Sequence, residues 1–129
     1  MLDARMQTKL LLARTQGMFC PICLHQPVSD LHEIIYPKGI ARGGKYDLED
    51  EFGLAVYAPG NCILLCNTCN VSVANSISID KMLALKMSLP GVKPEDVVQA
   101  ARNVASFSKI PRRWCPSTVT YNQVTYHIL

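Results

Sequence analysis

Two Cys-x-x-Cys pairs, Cys20-Pro-Ile-Cys23 and Cys66-Asn-Thr-Cys69, restrict what this chain can fold into more than any other feature. Each pair occupies one tight turn, and four thiolates from two separated turns close a tetrahedral coordination sphere as structural zinc sites do. Such an ion ties a return strand to a distant loop. Two disulfides or four ordinary buried thiols are the alternatives. Disulfides need an oxidising compartment, and the N-terminal run Met1-Leu-Asp-Ala-Arg-Met-Gln-Thr-Lys9 lacks the apolar core and small-residue cleavage site of a secretory signal. The expectation is a cytoplasmic chain holding structural Zn2+ on Cys20, Cys23, Cys66 and Cys69. Cys62 and Cys115 are left over and are expected to be buried or half-buried free thiols, because free cysteine behaves as a small hydrophobe.

A metal staple matters at this size. With 129 residues the chain is one domain, or one domain with an appendage, and the core it can bury is modest. Lys and Arg number 13 against 10 Asp and Glu, a net charge of +3 that is compatible with a nucleic-acid partner without requiring one. The apolar runs are only a few residues long, such as Ile63-Leu64-Leu65, so no membrane partner is expected.

Along the chain, Met6, Leu10 and Ala13, with Leu11 beside them, recur at helical spacing and predict a helix over 3–16 that leans on the zinc site and is ended by Gly17. Arg5, Lys9 and Arg14 read as its solvated face. Residues 28–36 are β-branched and apolar and stop at Pro37, which predicts a strand. The glycine-punctuated loop that follows carries Lys38, Arg42 and Lys45, candidates for gripping a phosphate backbone, and gives way to the acidic patch 47–51. Pro59-Gly60 marks a turn, 61–65 a short return strand, and the second cysteine pair opens a helix running from Cys69 to about Asn75. Ile79, Met82, Leu83 and Met87 share a helical face that Pro90-Gly91 ends. Pro94, with Glu95 and Asp96 behind it, starts another helix that extends to about Phe107. The tail alternates with period two on either side of Asn122-Gln123 and predicts a hairpin. Arg112, Arg113 and Trp114 suit either phosphate contact with stacking or a packed tryptophan between solvated arginines. His25 and His127 read as structural or surface residues.

In order, Cys20-Pro-Ile-Cys23, Asp30-Leu-His-Glu-Ile34, Asn61-Cys-Ile-Leu-Leu65 and Cys66-Asn-Thr-Cys69-Asn70 resemble the HNH endonuclease family, whose fold is the ββα-metal motif. The Leu-Leu-Cys-Asn-x-Cys-Asn ending looks especially like the phage recombination endonucleases of that superfamily. The resemblance covers about residues 17–75 and implies an α+β fold, with a zinc-stapled ββα-metal core over 17–78 between an N-terminal helix (1–16) and a C-terminal helical extension with hairpin tail (79–129). It further implies cleavage of DNA, duplex or branched. His32 and Asn70 would hold a catalytic Mg2+ or Mn2+, and Asn61 would orient the base and its loop. The chemistry of the residues is compatible, since a hard ion that must leave room for phosphate and water suits few oxygen or imidazole ligands. The family usually has Asp-His or His-His before the apolar residue, so His32-Glu33-Ile34 places Glu33 where the base histidine stands. An ordinary glutamate, with a pKa near ~4.3, is a weaker base than imidazole. In the other register His32 is the base and Asp30 the ligand, the two sharing a strand face. No second ligand stands one turn after Asn70, where Ala74 lies. A zinc-stapled nucleic-acid- or protein-binding module without chemistry is the competing expectation, since fold does not guarantee activity.

Overall fold

The computed structural model describes residues 3–36, 51–107 and 115–129. The loop candidates Lys38, Arg42 and Lys45, and the tail candidates Arg112, Arg113 and Trp114, lie outside the described residues. Helix α1 spans Ala4–Thr15 and is capped by Asp3, whose carboxylate accepts from the Met6 amide at 2.8 Å. Gly17, at a φ of 111°, supplies the left-handed turn that ends it. The inward stripe differs from the one that hydropathy suggested. Thr8 and Leu12 are buried, whereas Met6, Leu10 and Ala13 face outward and Leu11 is only half-buried. The phase is set by polar contacts that a hydrophobic count ignores: the Thr8 hydroxyl donates to the Tyr57 carbonyl, and Gln16 lies one turn beyond Leu12.

Strands β1 (Asp30–Glu33) and β2 (Cys62–Leu65) pair antiparallel, with Asp30 opposite Leu65 and Glu33 opposite Cys62. The Gln16 side chain then acts as a third strand. Its Nε2 donates to the Leu64 carbonyl and its Oε1 accepts from the Leu64 amide, each at 2.7 Å. It thereby satisfies the edge of β2 that β1 does not cover. Gln16→Ala is expected to lower unfolding free energy by about 2 kcal/mol in urea denaturation, because Leu64 is buried and keeps two unpaired backbone groups.

β1 is shorter than the predicted 28–36 because its partner gives out. The Ile34 amide still donates to the Asn61 carbonyl at 2.8 Å, but Pro59–Asn61 is a 3₁₀ turn, leaving no strand for Ile35 to pair with. Between the strands lies a helix the sequence reading lacked, α2 (Glu51–Val56). It buries Phe52 and Val56, and Phe52 meets Phe107 edge to face at 5.2 Å. After β2 the chain winds through a π-helical segment, Cys69–Val73, and a 3₁₀ turn, Ala74–Ser76. Next come α3 (Ile79–Met87) and α4 (Pro94–Ala105), near their predicted limits. Gly60 lets the turn before β2 pack on the α4 backbone, since a Cβ there would stand 2.7 Å from the Asp96 carbonyl. The tail hairpin, β3 (Thr118–Tyr121) and β4 (Val124–His127), turns on Asn122 and Gln123, both with positive φ. It is tied to α4 where Arg102 donates to the His127 carbonyl at 2.8 Å. The fold is thus α+β, with two small antiparallel sheets among helices and a core centred on Ile35, Ile63, Leu65, Met82, Leu83, Val97 and Val104. No described helix is long and apolar enough to cross a membrane.

Candidate metal centre

The first knuckle is a narrow hairpin. The Cys20 amide donates to the Gln26 carbonyl and the Val28 amide to the Met18 carbonyl, and Leu24 takes a left-handed φ of 66° to close the turn. The second knuckle follows β2 directly, and the Cys69 amide points at the Cys66 sulfur at 3.4 Å. Pairing of β1 with β2 brings the two knuckles together. The sulfur atoms of Cys20, Cys23, Cys66 and Cys69 all lie within 4.8 Å of one another, with Cys23 and Cys66 at 3.9 Å. Tetrahedral zinc with bonds of about 2.3 Å places its sulfurs roughly 3.8 Å apart, so the cluster has the dimensions of a four-cysteine zinc site.

Cys23 is pulled down to about 6, chiefly by hydrogen bonds from the His25 and Gln26 amides. Cys69 is pushed up to about 12 by burial and by the neighbouring sulfurs. Four thiolates this close would repel one another unless a cation lay between them, and a thiolate-rich tetrahedron suits zinc. Cys62 and Cys115 are buried, form no disulfide and stand outside the cluster. Burial raises Cys62 well above the ordinary thiol range, and its Sγ–H donates to the Val56 carbonyl at 3.5 Å.

Beside the cysteines is a second, polar constellation. Strand alternation puts Asp30 and His32 on one face of β1, towards the π-helical segment. The Asn70 amide stands between them: its Nδ2 donates to Asp30 Oδ2 at 3.2 Å, and its Oδ1 is 3.0 Å from His32 Nδ1. Asn67 Nδ2 also donates to Asp30 Oδ2, at 3.0 Å, and the Ser29 hydroxyl donates to Oδ1. Burial raises the Asp30 pKa, but these hydrogen bonds and the Lys9 charge outweigh it and leave the carboxyl below its usual range. Asn67 is a letter of the Leu-Leu-Cys-Asn-x-Cys-Asn ending with no role read from the sequence, because only the turn of the second knuckle aims it at Asp30.

Glu33 takes the opposite face of β1, across from Cys62, where its charge acts on Tyr57 and Cys62. At the strand end it nevertheless lines, with His32, a cavity of about 50 Å3 that Ala74 and Asn75 also border. Asn61 is fully buried and clamps the segment after β1. Its Oδ1 accepts from the Ile35 amide at 3.1 Å, and its Nδ2 donates to the carbonyls of Ile35 at 3.0 Å and Val56 at 2.9 Å. His25 and His127 are exposed. No family model, curated protein or solved structure matches this chain.

Proposed function

We propose that this protein is a small metal-dependent DNA endonuclease of the HNH, ββα-metal type. One observation carries the reading: His32 Nδ1 and Asn70 Oδ1 lie 3.0 Å apart beside the four-cysteine cluster. The two atoms are hydrogen-bonded to each other, and an imidazole nitrogen beside an amide oxygen is a donor pair that would suit a divalent ion with positions left for phosphate and water. Asp30 supports the arrangement by accepting from Asn70 Nδ2, which leaves Oδ1 turned to His32. His32 and Asn70 would hold Mg2+ or Mn2+, while the cysteines hold zinc. When bound, the divalent cation supplies neutralisation of charge building on the scissile phosphate.

The remaining work falls to the chain. Glu33 lines the cavity that His32 borders and takes a proton from water there; the hydroxide attacks phosphorus in line, and the bond to the 3′ oxygen breaks. Asn61, by fixing Ile35, holds the strand end from which Glu33 projects. The test is incubation of zinc-loaded protein with supercoiled plasmid and Mg2+ or Mn2+. Nicked and linear products are expected, with rates reduced by about 10²-fold or more in Glu33→Gln and His32→Ala. His127→Ala, far along the chain in the tail hairpin, should leave the rate unchanged. An inert wild type, or undiminished cleavage by the Glu33→Gln/His32→Ala double variant, rejects the reading. A zinc-stapled binding module is the second reading, favoured by Met18, Phe19 and Leu24, which stand exposed around the first knuckle. It predicts DNA or protein binding without cleavage.

A further inference from the structure

Lys86 lies on the inward side of α3 with only 3% of its surface exposed, and among the described residues its ammonium has no hydrogen-bond or ion-pair partner. An isolated buried cation is strongly unfavourable. Burial brings its pKa down to about 8, which still leaves it charged at neutral pH. Lys86 also lines a solvent-open cleft of about 230 Å3 bordered by α1, the Pro59–Gly60 turn, α3 and the start of α4. That volume is below the roughly 300–1,000 Å3 of sites for drug-sized ligands and suits a smaller molecule. Leu11, Leu12, Val92 and Val97 make much of the wall apolar. Lys93 and Asp96, at the start of α4, line the same space.

We propose that this cavity is a binding site for a small monocarboxylate with an apolar body. The carboxylate would meet Lys86, and the body would lie among Leu11, Leu12 and Val97. One ammonium matches one negative charge, and Asp96 in the same lining opposes a phosphate dianion more strongly than a monocarboxylate. The pairing gives the buried lysine the counter-charge that no described residue supplies. This site is separate from the cysteine cluster and does not depend on nuclease activity.

Benzoate, benzamide and inorganic phosphate titrated into the zinc-loaded protein, followed by amide NMR, test the proposal. Benzoate is expected to saturate with a Kd on the order of 1 mM, shifting the amides of Lys86, Val92 and Val97. Benzamide and phosphate should bind at least about ten-fold more weakly, and so should benzoate to Lys86→Met. Benzoate affinity should also fall above pH 8 as the amine loses its proton. Lys93, Asp96 and Cys62 are the other ionisable groups near the lysine, and the Lys86→Met titration separates their contribution. Should that variant not fold, the Nζ nitrogen resonance of Lys86 in the wild type must itself move with benzoate. Equal affinity for benzamide, tighter binding of phosphate, or an unmoved Nζ resonance would overturn the proposal.

Discussion

Chelation of the zinc-loaded protein is expected to remove its cooperative thermal transition, and added Zn2+ is expected to restore it. Structural zinc contributes apparent binding energies of about 10–16 kcal/mol in small peptides, comparable to the roughly 5–15 kcal/mol by which a whole domain is stable. Here the four sulfurs join the loop before β1 to the turn after β2, and three of them are buried. Without the ion, Cys69 reprotonates in an apolar setting and nothing covalent holds the knuckles together. α3, α4 and the tail hairpin pack on the same core, so some helical signal should outlast the transition. Cys20→Ser should reproduce the chelated behaviour, while Cys115→Ala, outside the cluster, should keep one zinc per chain. Calorimetry with metal analysis checks both. A metal-free protein that melts at the zinc-loaded temperature would remove the cysteine cluster from the account of stability.

Asn61→Ala is the second large effect, with an expected loss of about 4 kcal/mol in urea unfolding of the zinc-loaded protein. The substitution strands the Ile35 amide and carbonyl and leaves the Val56 carbonyl only the weak Cys62 thiol, and each unsatisfied buried group costs about 1–3 kcal/mol. Asn61→Asp keeps the shape but turns a donor into a carboxylate facing the Ile35 and Val56 carbonyls, so it should lose at least as much. Neither change touches a cysteine, and zinc content should stay at the wild-type level. A loss under about 1 kcal/mol would mean that Ile35 finds another partner and that Asn61 is no clamp.

Much of this architecture could be read from local patterns. The four-cysteine cluster was legible because ligand spacing within each pair is a property of one turn. Proline and glycine punctuated α3 and α4, and Asn122-Gln123 marked the hairpin through residues that tolerate positive φ. His32 and Asn70 could be singled out by resemblance, and the fold brings them within 3.0 Å. α1 shows where the pattern fails. Met6, Leu10 and Ala13 are on its outer face, because Thr8 and Gln16 find backbone partners 49 and 48 positions away. α2 escaped notice because one short turn of helix around Gly53 has too little periodicity to register.

The sequence by itself therefore determined the cysteine framework, the ends of the later helices and the hairpin turn, all of which depend on neighbours within a few positions. Only the tertiary structure decided which face of α1 is buried, where Asn67 points, that Glu33 parts from His32 across β1, and that Lys86 is buried without a counter-charge among the described residues. Those outcomes rest on contacts between distant segments. A polar side chain's place there is set by which backbone group or cavity the packed fold puts opposite it, and no periodicity in the chain encodes that.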